Sequence, residues 1–357
     1  MILATLLGIV GLAAGFLLLW RIPVCPAALP DAEANVSVII PARNEEANLP
    51  RLLRSLSASE SLSIEVLVVD DHSSDRTAEI AQGLGATVIS AEPLPAGWTG
   101  KAWACYQGAQ QASGELLLFL DADTYFAHGG LDKLVARWLR EGDRGLTISL
   151  LPYHVMQAAY EQLSLFFFLL MAAGGGGFGA LSRARLFGQS LLIPRPTYFA
   201  VNGHAAVRGF VLENLNLAGL LADAGERMMC LGGRNTLQMR MFPEGFRQMS
   251  DSWTKAFVQG AKASGYKVLA FSSVWISSLW MAAFLAVNSW SGLSIYFVLA
   301  YLLLGMQAFW CARQLGNYRL STCLLYPLPL AYYCILFARS AIRRATGQKT
   351  IWRGREV

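Results

Sequence analysis

The sequence predicts an α/β fold with a mainly parallel sheet, attached to transmembrane helices. Short β-branched segments alternate with segments of helical spacing in the first third of the chain, a pattern typical of parallel βαβ units. Polar clusters follow three of the predicted strands. With 54% hydrophobic and 15% charged residues among its 357, the chain is also more apolar than an ordinary soluble enzyme.

An uncharged stretch at the N-terminus predicts the first membrane helix. Ile2 to Trp20 contains no charged residue, and Arg21 follows directly. This length is enough to cross a hydrocarbon core of roughly 30 Å. A cleaved signal peptide is the alternative interpretation, although no basic segment precedes the apolar residues.

Two further uncharged tracts lie near the C-terminus. Val268 to Ala312 is long enough for two helices joined at 288–292, and Leu320 to Ala338 predicts a third segment. Because Pro327 and Pro329 lie inside it, a re-entrant or broken hairpin is the alternative to a full crossing. The predicted division is a transmembrane helix at 1–21, an α/β domain at 31–262, a transmembrane region of two or three segments at 268–340 and a basic tail at 341–357.

The α/β domain opens with three strand–helix units and a fourth strand. The predicted strands are Val36–Ile40, Ile64–Val69, Thr87–Ser90 and Glu115–Leu120, and the predicted helices are Asn48–Leu56, Ser74–Leu84 and Lys101–Ala112. Ligands of parallel sheets bind beyond the carboxyl ends of the strands. Three of these ends carry Arg43-Asn44-Glu45, Asp70-Asp71 and Asp121-Ala122-Asp123, so we expect a site at that edge.

Asp121 and Asp123 are candidate ligands of a divalent cation. Two carboxylates at a strand end bind a hard cation and leave positions for phosphate oxygens. A turn with solvated acids is the alternative for an isolated pair. The chain has no GxGxxG after its first strand and no GxxxxGK[ST], so a metal must do more of the phosphate binding, with Lys101 as a candidate second cation.

Asp70 and Asp71 are adjacent carboxylates at the end of a buried strand. Like charges there are costly unless a partner donates hydrogen bonds, as a nucleoside base or ribose would. Ser74 or Asp75 in the following loop fits the N-cap of the next helix without any ligand.

These motifs resemble those of family 2 glycosyltransferases, which have a GT-A fold. The matching segments are Val38 to Glu45, Val68 to Asp75 and Phe119 to Asp123, in the usual order and at the usual separations. Pro93 to Lys101 is similar to a narrower subgroup, the membrane glycosyltransferases of hopanoid and carotenoid pathways, which includes enzymes that glucosylate a carotenoid carboxylate. Phe199 to His204 resembles the family's strand and glycine turn before its catalytic acid.

The resemblance implies roles for individual residues. It implies a nucleotide-diphospho-sugar donor, similar to UDP-glucose, that contacts Pro41, Arg43, Glu45, Asp70, Asp71, Lys101 and Asp121. It implies Mg²⁺ or Mn²⁺ held by Asp121 and Asp123. The segment Gln248 to Trp253 loosely resembles the family's QxxRW motif. Gln248 and Trp253 are therefore candidates for the acceptor side, as are Arg183 and Arg185.

The position of the expected catalytic base departs from the family pattern. Where the family usually has Glu-Asp, this chain has Glu213-Asn214. An amide cannot accept a proton at neutral pH, so Glu213 is the nearest carboxylate able to act as a base. An anionic acceptor would need no base, and Glu213 would then only cap its helix.

The distribution of basic residues predicts the membrane side and the partners. Arg21, Lys262 and Lys267 place the catalytic domain in the cytoplasm at the cell membrane. The basic tail indicates contact with anionic lipids of the bilayer rather than nucleic acid. The apolar segment Leu163 to Met171 is either a buried core helix or an interfacial helix within an acceptor segment at about 160–198.

The predicted function is inverting transfer of a sugar to a membrane lipid, such as a carotenoid, a hopanoid or another isoprenoid. A polyprenyl-phosphate sugar synthase is the alternative enzyme, with Arg183, Arg185 and Arg195 binding the acceptor phosphate. A membrane nucleotide-sugar-binding protein that has lost catalysis is the alternative of another class, and Asn214 is the observation in its favour.

Overall fold

The computed structural model describes residues 2–27, 34–57, 62–141, 146–181, 186–210, 213–263, 265–288, 294–346, 351–352 and 355–356. In chain order the strands are β1 (Asn35–Ala42), β2 (Ser63–Asp70), β3 (Thr87–Ser90), β4 (Leu116–Leu120), β5 (Thr124–Phe126), β6 (Thr147–Leu151), β7 (Tyr153–His154), β8 (Ser190–Pro194), β9 (Met228–Gly232), β10 (Leu237–Met239), β11 (Ile351–Trp352) and β12 (Arg355–Glu356). The α-helices are α1 (Ile2–Leu18), α2 (Leu49–Leu56), α3 (Thr77–Gly83), α4 (Gly100–Gln111), α5 (Gly130–Arg140), α6 (Leu165–Gly175), α7 (Arg195–Ala200), α8 (Gly203–Ala206), α9 (Glu213–Asp223), α10 (Phe246–Ala263), α11 (Tyr266–Asn288), α12 (Ser294–Ala312), α13 (Leu320–Leu324) and α14 (Pro327–Ala345).

The chain forms two compact units. The α/β unit comprises Pro23–His154 and Ala184–Arg240, and the helical unit comprises Met1–Ile22, Val155–Arg183 and Met241–Val357. These boundaries differ from the division expected from hydropathy, because residues 155–183 and 241–262 pack with the apolar helices rather than with the sheet. The sequence of an amphipathic or short apolar helix does not indicate which of the two units the helix packs in.

The α/β unit contains the predicted parallel sheet. Its seven strands have the order β3-β2-β1-β4-β8-β6-β9. Strands β1 to β4 are parallel to one another, as the alternation of strands and helices predicted. Strand β8 is antiparallel to β4 and β6 and was not predicted. The carboxyl ends of β2, β1 and β4 therefore lie side by side at one edge.

Both faces of this sheet are buried. Val38 and Ile40 of β1 pack into one core with Leu52 of α2, whereas Ile39 points to the other core with Ala104 of α4. This alternation is the consequence of the two-residue repeat of a strand. Four covered strands hold the loops at their carboxyl ends in fixed positions.

The predicted second helix begins later than the sequence indicated. Helix α3 starts at Thr77 rather than Ser74. Asp75 Oδ1 accepts a hydrogen bond from Thr77 N at 3.0 Å, so the carboxylate satisfies an amide that the helix leaves unpaired. The loop between β2 and α3 is correspondingly longer.

The helical unit is held together by close packing of α1 against α11 and α12. A Cβ atom on Gly11 would lie 2.7 Å from Ser278 Cβ, and one on Gly15 would lie 2.5 Å from Gln307 Oε1. The buried Gln307 donates to Leu12 O at 2.7 Å and accepts from Trp275 Nε1 at 3.0 Å. One amide thus connects all three helices, in a small-residue interface typical of membrane helices.

Two helices among the described residues are long and apolar enough to cross a membrane. They are Tyr266–Asn288 and Ile295–Ala312, which agree with the two helices predicted in the second apolar tract. The apolar segment Leu6–Leu18 of α1 is shorter than these two helices. The third tract is interrupted, because α13 ends at Leu324 and Pro327 opens α14. Proline has no amide hydrogen to donate, so it fits the first position of a new helix.

Candidate active site

The carboxyl ends of β1 and β2 bring together a cation and two carboxylates. Arg43 Nη1 lies 3.2 Å from Asp71 Oδ2, and the Asp71 side chain is 13% exposed. Asp70 Oδ2 accepts from Ser73 N at 3.4 Å, whereas Asp70 Oδ1 is buried and has no hydrogen-bond partner among the described residues. Such an oxygen is costly unless a ligand donates to it. This end of the sheet therefore offers an acceptor that suits a base amine or a ribose hydroxyl.

Pro41 and Glu45 support this cluster. Pro41 is the penultimate residue of β1 and pairs with Val69. Glu45 is buried; its Oε2 accepts from Asn48 Nδ2 at 2.8 Å, and its amide donates to Thr77 Oγ1 at 2.8 Å. The loop after β1 is thereby tied to the starts of α2 and α3, which holds Arg43 in place.

A second cluster is centred on the ammonium of Lys101. Its Nζ lies 2.7 Å from Asp121 Oδ1 and 2.9 Å from Glu213 Oε1, and it donates to Gly188 O at 2.9 Å. Four segments meet there: the start of α4, the end of β4, the loop before β8 and the start of α9. The side chains that the sequence placed at the phosphates, the metal and the base are thus in contact.

The charges in this cluster are strongly coupled. Burial by itself lowers the pKa of Lys101, but the carboxylates of Asp121 and Glu213 outweigh it and raise the pKa well above its ordinary value. The ammonium therefore stays charged at neutral pH. Two carboxylates against one ammonium leave a net negative charge, which favours binding of a further cation.

Asp121 and Asp123 stand on a tight turn after β4. Asp121 N donates to Gln189 O at 3.1 Å, and Asp121 O accepts from Thr124 N at 3.1 Å. In the described part of the chain, no three His, Cys, Asp or Glu side chains are grouped as a metal site. The donor set nevertheless fits a hard divalent cation, because two carboxylates on one turn leave coordination positions for phosphate oxygens.

Helix α9 begins with Glu213 and the unexpected asparagine. Glu213 is 5% exposed and Asn214 is 4% exposed. Asn214 Nδ2 donates to Phe187 O at 2.9 Å. An aspartate here would face this carbonyl oxygen with a carboxylate, so the amide suits this position better than the acid of the family pattern.

Gln248 and Trp253 lie on α10, in the helical unit. Trp253 is buried, donates from Nε1 to Ser164 Oγ at 3.0 Å and stacks on Phe167 with ring centroids 4.5 Å apart. Gln248 Oε1 accepts from Glu244 N at 3.0 Å. Both residues have contacts that stabilise the helical unit, and their acceptor role stays a prediction.

The three arginines that were predicted to bind an acceptor phosphate differ in what the structure shows of them. Arg183 and Arg185 lie outside the described residues. Arg195 follows Pro194, which pairs with Leu116 at the start of β4, so Arg195 lies at the sheet edge opposite Asp121. Its proposed part in a phosphate pocket is wrong, because β8 is antiparallel to β4 and carries the chain away from the site.

The predicted strand before the glycine turn is also wrong. Phe199 lies in helix α7, and the preceding strand β8 ends at Pro194. The turn itself is present, with φ of 59° at Asn202 and 42° at Gly203. It returns the chain towards the site edge.

Sequence patterns missed two residues of the site. Gly188 and Phe187 act through their main-chain carbonyls, which accept from Lys101 and Asn214. A carbonyl oxygen is common to every residue type, so no pattern of side chains marks it. The glycine before β8 is only a weak hint of a close backbone approach.

Comparisons with known proteins identify the family of this chain. The model of the glycosyl transferase family 2 matches residues 37–215. A 4,4'-diaponeurosporenoate glycosyltransferase of Staphylococcus haemolyticus is 33% identical over 272 residues, which are 74% of this chain and 70% of that protein. The Staphylococcus aureus (strain USA300) protein of the same name is 28% identical over 332 residues, 90% of this chain and 88% of the relative.

The fold also matches a solved structure. The mannosyltransferase of Pyrobaculum calidifontis, in complex with GDP-Man and Mn²⁺, superposes with a TM-score of 0.54 over 97% of this chain and 99% of that chain, at 16% identity. At this identity the likeness concerns the GT-A fold alone. The family match spans β1 to the start of α9 and contains Arg43, Asp71, Lys101, Asp121 and Glu213. The chain therefore belongs to glycosyl transferase family 2 and is a glycosyltransferase.

Proposed function

We propose that this glycosyltransferase moves a sugar from a nucleoside-diphosphate donor to a lipid acceptor in a membrane, with inversion at the sugar carbon. The observation that carries the proposal is the contact of Lys101 with both Asp121 and Glu213, at the sheet edge that also presents Asp70 and Asp71. Groups suited to a nucleoside, a diphosphate and an attacking acceptor follow one another along this edge.

The donor binds across the ends of β2, β1 and β4. Asp70 and Asp71 accept hydrogen bonds from the nucleoside, with Arg43 holding Asp71 in place. The Lys101 ammonium pairs with the diphosphate and stabilises the negative charge that develops as it leaves. The GDP-Man in the Pyrobaculum complex supports a nucleotide sugar as the donor class, with a UDP-glucose-like compound as the first to test.

A divalent cation completes the donor site. Asp121 and Asp123 would hold Mg²⁺ or Mn²⁺, and the bound ion supplies positive charge for the diphosphate oxygens. The Mn²⁺ in the Pyrobaculum complex supports this choice of ion. Asp121 then serves both the cation and Lys101.

The acceptor oxygen attacks the anomeric carbon from the face opposite the diphosphate. A C–O bond forms as the bond to the diphosphate breaks, and the electron pair leaves with the nucleoside diphosphate. The relatives' name specifies a carboxylate, which is already anionic at neutral pH and requires no base. With a hydroxyl acceptor, the proton would pass to Glu213.

We also propose that the chain spans the cell membrane, with the catalytic unit in the cytoplasm. Lys267 lies at the start of α11 and Arg313 follows α12, so the positive-inside rule places both of these ends on the cytoplasmic side. Cysteines introduced by Ser291→Cys and Gly347→Cys test this. An impermeant thiol reagent applied to intact cells should label the first and spare the second, and labelling of Gly347→Cys would reject the topology.

A product analysis tests the function. Cells that make a carotenoid carboxylate and express this chain should accumulate a lipid heavier by one dehydrated hexose. Purified protein should release nucleoside diphosphate from UDP-glucose only with Mg²⁺ or Mn²⁺. Absence of both a new glycolipid and donor cleavage, with intact protein in the membrane, would reject the proposal.

A further inference from the structure

The loop at residues 91–99 connects the two clusters of the site. It follows β3, and Ala91 N donates to Asp70 O at 3.0 Å, so the loop leaves the sheet beside the carboxylates of β2. It ends at Thr99, whose side chain caps α4 two residues before Lys101. The loop therefore runs along the edge at which the site lies.

Hydrogen bonds fix this loop at both ends. Glu92 N donates to Gln107 Oε1 at 2.9 Å, and Glu92 O accepts from Trp103 Nε1 at 3.1 Å. At the other end, Thr99 N donates to Arg208 O at 2.8 Å. The loop is thus bound to α4 and to the segment 207–210, which leads towards Glu213.

Apolar side chains cover the outer surface of these segments. Trp98 lies 4.8 Å from Trp103 and 5.3 Å from Tyr106, measured between ring centroids, and all three are half-buried. Leu94 is 36% exposed and Phe210 is 52% exposed. We call these five residues the aromatic rim.

Two members of the aromatic rim are close to the reacting groups along the chain. Trp98 precedes Lys101 by three residues, and Phe210 precedes Glu213 by three residues. The hydrogen bond from Thr99 N to Arg208 O holds these two segments together. Exposed apolar surfaces mark contacts with proteins, membranes or ligands, and beside a polar site the contact with an apolar part of a ligand is favoured.

We infer that the aromatic rim binds the hydrocarbon chain of the acceptor lipid and leaves its polar end at Lys101 and Glu213. The inference rests on the proposed function, which requires an acceptor with such a chain. The sugar and the diphosphate of the donor are polar and make no use of an apolar surface, and the proposed function places its base beside Asp70 and Asp71. Aromatic faces, by contrast, pack well against a long unsaturated chain.

Binding of the acceptor can be measured without catalysis. The probe is 4,4'-diaponeurosporenoate, titrated into the full-length protein in detergent micelles without donor. Trp98→Ala and Phe210→Ala should each raise its Kd about tenfold, the effect of losing one buried aromatic contact. Leu84→Ala is the matched control, because Leu84 is 39% exposed at the end of α3 and lies outside the rim. It should leave the Kd unchanged.

Two further measurements separate apolar contact from other effects. Trp98→Phe keeps a ring and should recover most of the affinity, whereas UDP-glucose affinity and the Tm should be the same in every variant. Unchanged Kd in both alanine variants would overturn the inference. An equal loss of affinity for UDP-glucose would also overturn it. Weaker binding of the protein to phosphatidylcholine vesicles, with an unchanged Kd for the probe, would overturn it as well and would assign the rim to the bilayer. A protein that binds the probe through the rim but transfers no sugar would refute the proposed function alone.

Discussion

The α/β unit and the helical unit both contain buried polar side chains, and examples from each show two different uses. In the helical unit, the amide of Gln307 and the indole of Trp253 bond to groups of that unit and join its helices. In the α/β unit, Asp70 leaves a buried oxygen without a protein partner among the described residues, and Lys101 and Asp121 are partly open to solvent. Satisfied polar groups specify packing, whereas an unsatisfied one at an open sheet edge indicates a ligand.

The largest effect on activity is expected at the turn after β4. Asp121→Ala or Asp123→Ala removes a proposed cation ligand and should lower sugar transfer by about 10³-fold or more, with little change in Tm. Glu79→Ala is a suitable control, because Glu79 is an exposed acid on α3. EDTA should likewise stop the wild-type enzyme, and Mg²⁺ or Mn²⁺ should restore it. Full activity in EDTA would contradict the assignment of a divalent cation to Asp121 and Asp123.

Glu213 should matter only when the acceptor must lose a proton. With a lipid alcohol, Glu213→Gln should lower kcat by about 10² to 10⁴, the usual contribution of a general base. With a lipid carboxylate of the same chain length, the loss should be less than about tenfold, because no proton is transferred. Both acceptors should be assayed over a range of pH. A matching loss of UDP-glucose binding would show that Glu213 serves the donor site through Lys101 instead.

Asn214→Asp provides the companion test. The family pattern has aspartate here, so the sequence alone suggests that this change is neutral or raises activity. The bond from Asn214 Nδ2 to Phe187 O gives the opposite expectation, since a carboxylate would face that carbonyl. Loss of the hydrogen-bond donor at Asn214 Nδ2 should cost about 1–3 kcal/mol of stability. Unchanged Tm with higher activity would show that the aspartate finds a proton or a new partner.

Trp253 tests the structural use of a buried polar group in the helical unit. Trp253→Ala should destabilise the helical unit by about 3–5 kcal/mol, the usual cost of emptying a large buried site. Trp253→Phe keeps the stacking on Phe167 and loses only the bond to Ser164, worth about 1 kcal/mol. If Trp253 acts in packing, kcat/KM per folded molecule should stay near wild type in the phenylalanine variant. A large rise in acceptor KM at unchanged Tm would give Trp253 a binding role.

The smallest expected effect is a pH dependence confined to the α/β unit, which contains all four histidines. Burial, aided by the charge of Lys101, lowers the pKa of His204 to about 3 from an ordinary value of 6.5. Between about pH 3 and pH 6.5, His204 therefore binds a proton in the unfolded chain but not in the folded chain. The stability from neutral His204 is complete above pH 6.5 and declines as pH falls towards 3. His204→Gln should flatten the fall in Tm between pH 7 and pH 5, and an unchanged slope would contradict the assignment.

The residue pattern determined the first half of the fold. Strands β1 to β4, with α2 and α4, lie within one or two residues of their expected bounds, because alternation with period two and helical spacing are local properties. The same pattern placed Arg43, Asp71 and Asp121 at one edge, since neighbouring parallel strands end together. Two membrane-length helices followed from composition and length alone.

Only the tertiary structure decided what each polar group touches. It brought Lys101 between Asp121 and Glu213, residues far apart in sequence, and it used the carbonyls of Gly188 and Phe187, which no residue pattern can mark. Strand order and direction likewise depend on long-range pairing. Antiparallel β8 carried Arg195 to the opposite edge, and packing drew α10 with Trp253 into the helical unit. A local motif fixes which groups are available, whereas the burial of apolar faces fixes where they meet.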